Sequence, residues 1–124
     1  MVDSLRTLHL TTAHELGMGN DTIASLEELL DELKQLLSGV SYLRELTPRT
    51  LDYLVSFGER LSVRIMAARL NQLGVPAQYF ESWTLGLRTT SDFGKADVLP
   101  GCYGNIKDAM KKLDDNMWVG GLAL

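Results

Sequence analysis

Apolar residues recur along the first half of the chain at helical spacing and along the second half in shorter clusters broken by glycine and polar runs. From Asp3 to Leu16, the positions Leu5, Leu8, Ala13 and Leu16 approximate one helix face, and Gly17 follows where a left-handed C-terminal cap belongs. Asn20-Asp21-Thr22 offers N-capping side chains before Ile23, Leu26, Leu29, Leu30, Leu33, Leu36 and Leu37, which predict a second helix ending near Gly39. Tyr42 to Leu46 predicts a short helical turn. Thr47 then caps a third helix with Pro48 at its first position, and Leu73-Gly74 ends it. Its apolar stripe reads Leu51, Leu54, Gly58, Leu61, Ile65 and Ala68, widened by Val55, Ser62 and Leu70. A glycine inside a helix costs about 1 kcal/mol relative to alanine, so Gly58 predicts close backbone approach by another element or by a ligand.

Beyond Pro76 the aromatic and partly alternating run from Val75 to Phe80 predicts a strand. Trp83 to Asp97 reads as strand fragments joined by polar loops, Ala96 to Leu99 as another short strand, and Asn105 to Leu113 as a last helix. A helix feeding a strand across a Gly-Val-Pro link belongs to the α/β class, here a helix-rich piece with a few short strands.

Composition narrows the functional classes. With 124 residues, 45% of them hydrophobic, the chain has the size and apolar content of one domain. The net charge of -4 is spread over mixed signs without a basic stripe, which argues against nucleic acid as a partner. Glu27, Glu28, Asp31 and Glu32 precede Lys34 along the second helix, an order that complements the helix dipole and describes a solvated face. No apolar run reaches the roughly 20 residues of a membrane span and no secretory signal opens the chain, so a soluble protein is expected. The single cysteine, Cys102, excludes an internal disulfide framework and a cysteine-rich zinc site.

Candidate chemistry is sparse. His9 and His14 are five apart, which places them on different sides of one helix and denies them the spacing of a metal pair; no metal site is expected. Arg88-Thr89-Thr90-Ser91-Asp92 has the donor density of an anion-contacting loop, although the same residues are common loop formers. Neither a phosphate-binding Walker loop, a serine-hydrolase elbow nor a dinucleotide glycine pattern occurs. Glu59 lies four residues after Val55 and four before Val63, which places its carboxylate near the core boundary beside Gly58. A carboxylate there needs a cationic or donor partner, which can be a ligand or simply Arg60, Arg64 or a neighbouring strand.

The run Glu45-Leu46-Thr47-Pro48-Arg49-Thr50-Leu51-Asp52-Tyr53-Leu54-Val55-Ser56-Phe57-Gly58-Glu59-Arg60-Leu61-Ser62 resembles the aspartate kinases, in particular their plant and algal monofunctional type. The resemblance continues through Ala67-Ala68-Arg69-Leu70-Asn71, Leu73-Gly74-Val75 and Thr89 to Leu99, and covers about Asp3 to Asp115. It implies part of an amino-acid kinase fold, a three-layer α/β/α domain, with residues 1–115 as its aspartate-binding portion. It further implies L-aspartate and ATP as substrates of the parent enzyme, with Mg2+, at the first step of lysine, threonine and methionine synthesis. Glu59 matches the family glutamate associated with the substrate's amino group; no catalytic acid or base is implied. The family's leading Lys-Phe-Gly-Gly type segment and its later Gly-Arg-Gly-Gly-Ser-Asp segment have no counterpart here, and residues 116–124 depart from the family pattern. The isolated chain is therefore expected to lack kinase activity, and to be marginally stable or self-associating. The alternative is a non-catalytic, truncated interaction module that associates with itself or with a full-length kinase subunit. The plant-like resemblance favours the plastid stroma, with the cytoplasm as the other option.

Overall fold

The computed structural model describes residues 2–92, 95–113 and 118–120. In chain order these form α1 (Val2–Glu15), α2 (Asn20–Leu43), α3 (Pro48–Gln72), β1 (Ala77–Tyr79), α4 (Cys102–Lys111) and β2 (Trp118–Gly120). The described residues are mostly helical. The expectations placed on Phe93, Gly94, residues 114–117 and residues 121–124 lie outside the described part.

The core is a seam between three helices. Leu26, Leu29, Leu30 and Leu33 bury one face of α2 against Ala13 and Met18 on one side and Phe57 and Leu61 on the other. Three- and four-residue spacing puts those leucines on a single stripe, so the whole stripe leaves water together. α3 in turn packs against β1 and β2 on its far side. These two strands run parallel, with Ala77 opposite Trp118, Gln78 opposite Val119 and Tyr79 opposite Gly120. The segment that departs from the family pattern thus contributes a strand.

Two helix ends follow the sequence reading. Thr47 is extended, with φ -74° and ψ 155°, and its hydroxyl accepts from the Thr50 N–H at 3.1 Å, with Pro48 in the first turn. α3 closes at Gly74, whose φ of 79° lets the Val75 N–H return to the Leu70 carbonyl at 2.9 Å. The Asn71 amide completes the exit: it donates to the Ala77 carbonyl at 2.8 Å and accepts from the Ala77 N–H at 3.0 Å, which seats the start of β1 against the end of α3. Gln72 donates to the Leu16 and Gly17 carbonyls at 3.1 and 3.0 Å, tying the same corner to the end of α1.

Other expectations are corrected. Gly19, extended and without a side-chain cap, stands at the N-terminus of α2, and Asn20 is already helical. α2 runs through Gly39 to Leu43 and ends at Arg44 in the left-handed region, so Tyr42 and Leu43 belong to α2 and no separate turn follows. Partial burial of Leu36, Leu37 and Val40 offsets the glycine's helix cost. The strand of Val75 to Phe80 contracts to Ala77–Tyr79, and the last helix begins three residues earlier than expected, at Cys102. Between them, residues 82–86 form turns, and the expected strand fragments reduce to one antiparallel bridge between Thr89 and Val98. Gly86 has φ 85°, and a Cβ placed on it would sit 2.9 Å from Asn105 Cβ, so this turn is packed directly on α4.

The stripe of α3 is rotated from the one read in the sequence. Ser56, Phe57, Arg60, Leu61 and Ala67 are buried, whereas Leu51 is 47% and Val55 67% exposed. A charged residue has taken a core position, and two apolar residues have been turned outward.

Candidate functional site

The run Ser56-Phe57-Gly58-Glu59 winds around α3, its first two residues buried and its last two exposed. Phe57 is 1% exposed and anchors the helix in the core. Ser56 is buried, and its hydroxyl donates to the Tyr53 carbonyl at 2.7 Å. Ser56 also lines a depression of about 430 Å³ together with Leu36, Arg49, Thr50, Tyr53 and Trp83. Gly58 is exposed, and a Cβ added to it would meet no described atom within 4 Å. The close approach expected at Gly58 is therefore not made by any described residue. Glu59 is exposed as well, not at the core boundary. Among the described residues its carboxylate has neither a hydrogen bond nor an ion pair, and Arg60 and Arg64 are engaged elsewhere.

Those two arginines build the one buried ionic cluster among the described residues. Arg60 Nε donates to Glu81 Oε1 at 3.2 Å, and Arg64 Nη2 donates to the same oxygen at 3.0 Å. Arg60 Nη2 lies 3.5 Å from Glu32 Oε2, and the Tyr53 hydroxyl donates to the other oxygen of Glu32. Arg64 also donates to Ser25 Oγ at 3.1 Å and to the Arg60 carbonyl at 2.7 Å. Both guanidiniums are capped by rings: Arg60 lies 4.9 Å from the Phe57 centroid and 5.7 Å from that of Trp83, and Arg64 lies 4.5 Å from that of Tyr79. Arg60 Nη1 is buried without an acceptor. Burial works against the Arg60 charge, but the hydrogen bond and attraction of Glu81, with the attraction of Glu32, outweigh it and raise its pKa. The Tyr53 hydroxyl is likewise raised, first by its hydrogen bond to Glu32 and then by burial.

The arrangement separates two jobs along one helix. Inward, paired charges fix α3 to α2 and to the turn after β1. Outward, Leu51, Val55, Gly58, Glu59, Ser62 and Met66 share an open face that presents a single unpaired carboxylate among apolar and small residues. Of the other sequence candidates, His9 lines a depression with Ser62 and Met66 at the edge of this face. His9 Nδ1 bonds the Leu5 carbonyl at 2.8 Å within its own helix. Thr90 Oγ1 accepts from the Asp97 N–H at 3.1 Å, which uses the hydroxyl to close its own loop. Cys102 is buried, and its thiol donates to the Leu99 carbonyl. The buried arginine cluster was missed by the sequence reading; the only local signal for it was the pair Arg60 and Arg64 at four-residue spacing beside aromatic residues.

Comparison with known proteins settles the ancestry of this helix and its surroundings. No family model matches the chain. Over 99 residues, 80% of its length, it is 48% identical to the protein named aspartokinase 3, chloroplastic, of Arabidopsis thaliana. The chain is homologous to a segment of the aspartokinases. A second Arabidopsis relative, aspartokinase 1, chloroplastic, is 43% identical over 113 residues, 91% of this chain. The aspartokinase of Schizosaccharomyces pombe is 32% identical over 85 residues. The chain spans 17% of the length of the first of these relatives and 19% of the second. With 113 of the 124 residues matched, α3 lies within the matched portion.

Proposed function

We propose that this chain is the aspartate-recognising part of an aspartokinase, an enzyme that transfers the γ-phosphate of ATP to the β-carboxylate of L-aspartate at the start of lysine, threonine and methionine synthesis. The observation that carries the reading is the exposed, unpaired carboxylate of Glu59 beside the open flank of Gly58, in a segment homologous to aspartokinases. Facing an ammonium group, such a carboxylate accepts a charge-assisted hydrogen bond and fixes the orientation of the substrate. No proton transfer is asked of it. The β-carboxylate of aspartate is already ionised at neutral pH, so phosphoryl transfer to it depends on positioning and on neutralising phosphate charge.

ATP enters this reading through the parent enzyme. For Mg2+, the described residues offer no group of three or more His, Cys, Asp and Glu side chains able to hold a metal ion. The three-layer α/β/α amino-acid kinase fold belongs to the same proposal, with residues 1–115 as the aspartate-binding portion and 116–124 as a tail divergent in sequence that supplies β2; helices packed beside a parallel strand pair support it. The chloroplastic names of the Arabidopsis relatives support a plastid location. Among the described residues no helix is long and apolar enough to cross a membrane.

A second reading, an interaction module that associates with itself or with a full-length kinase subunit, draws on the exposed Leu51, Val55 and Met66 along the same face. The two readings separate in solution. Saturable binding of L-aspartate that is lost in Glu59→Gln supports the first, and concentration-dependent association without aspartate binding supports the second.

A further inference from the structure

We propose that Arg60 is the positioning residue of the aspartate subsite: by holding α3 in one rotational setting, it aims the neighbouring Glu59 at the substrate's ammonium group. The inference rests on the reading of Glu59 given above and adds the device that makes Glu59 effective.

Successive residues of a helix point about 100° apart, so a contact that fixes Arg60 also fixes the direction of Glu59. Arg60 is bound from two sides, by Glu81 beyond β1 at 3.2 Å and by Glu32 of α2 at 3.5 Å. Arg64 adds a clamp on the backbone itself, since its Nη1 donates to the Arg60 carbonyl at 2.7 Å while its Nη2 holds the same Glu81 oxygen. These contacts are directional. Apolar packing by Phe57 and Leu61 keeps α3 against α2 but tolerates small rotations, whereas a guanidinium hydrogen-bonded to Glu81 and ion-paired with Glu32 resists them. At a helix radius of about 5 Å, a 20° turn would carry an outward side chain by about 2 Å, enough to spoil an oriented ion pair. Side-chain burial points the same way: Arg60 is 9% exposed, in a position where an apolar residue of similar volume would satisfy the core without the cost of desolvating a cation. A buried cation held in this way fixes the direction of the helix as well as its contact.

The test uses the 124-residue chain and two ligands, L-aspartate and succinate, the second being the same dicarboxylate without the ammonium group. Dissociation constants come from NMR titration of wild type, Arg60→Met, Arg60→Lys and Glu59→Gln, alongside thermal unfolding. Arg60→Met is expected to unfold cooperatively at a lowered temperature and, while still folded, to bind L-aspartate about tenfold more weakly, with succinate unchanged. Arg60→Lys, which keeps the charge but not the fork, covers the case in which the methionine variant does not fold, and is expected to lose L-aspartate affinity in the same selective way. A folded Arg60 variant with wild-type affinity for L-aspartate, or with equal losses for both ligands, would overturn the proposal. Failure of the underlying reading looks different: wild type binds no L-aspartate, or Glu59→Gln binds it as wild type does, and then the inference about Arg60 falls with it.

Discussion

Arg60 donates to Glu81 across the space between α3 and the turn after β1, at 3.2 Å and with side chains only 9% and 17% exposed. Glu81 also takes a bond from Arg64 through the same oxygen, so one carboxylate compensates two guanidiniums that have left water. Replacing Glu81 by Gln should therefore cost about 3 kcal/mol or more in urea unfolding, because two cations lose their shared carboxylate in a poorly hydrated place. The surface pair of Arg6 and Asp31 provides the contrast. Asp31 is 63% exposed, and Asp31→Asn should change stability by less than about 1 kcal/mol. Equal, small effects of the two substitutions would show that the inner cluster is solvated after all.

A second prediction concerns the turn that follows this cluster. At Gly86 both the backbone and the space exclude a side chain: φ is 85°, and a Cβ would stand 2.9 Å from Asn105 Cβ, which is no flexible chain end. Gly86→Ala should destabilise the chain by more than about 1 kcal/mol and should loosen α4, seen as faster amide exchange over Cys102–Lys111. At Gly58, which has open space around it and ordinary helical backbone, alanine should be tolerated and should modestly favour the helix.

The pH dependence of stability tests the hydrogen bond between Tyr53 and Glu32. The folded state raises the Tyr53 pKa above 10.0, so the stabilisation from this group is fully present below the unfolded value and is lost as pH rises through the folded one. Urea unfolding of wild type should weaken with pH above about 10 more steeply than that of Tyr53→Phe, which removes the titrating hydroxyl. Parallel curves for the two proteins would remove Tyr53 from the network.

Much of the helical framework was legible in the sequence. Leu26, Leu29, Leu30 and Leu33 are buried as their spacing implies, and Thr47-Pro48 and Gly74 mark the ends of α3, because these features depend on neighbours within one or two turns. The rotation of α3 was not legible. Its apolar residues are spread widely enough to allow more than one inward face, and the face adopted buries Arg60 because Glu32 and Glu81, distant in sequence, converge on it. No local pattern records such convergence. The same rotation moved Glu59 from the expected core boundary to the surface, which leaves it free of the arginines that a boundary position would have offered. Trp118–Gly120 shows a related limit: Trp118 and Val119 suit a strand, but three residues in a run outside the family pattern form one only beside their partner β1.

The central claim is that the Glu59 carboxylate receives the ammonium group of L-aspartate, and a paired titration tests it most directly. Dissociation constants for L-aspartate and for succinate, measured by NMR on wild type and on Glu59→Gln, isolate the contact with the ammonium group. A charge-assisted hydrogen bond of about 1.5 kcal/mol or more predicts that the substitution weakens L-aspartate at least tenfold, with succinate unaffected. Unchanged affinity for L-aspartate in Glu59→Gln would contradict the account.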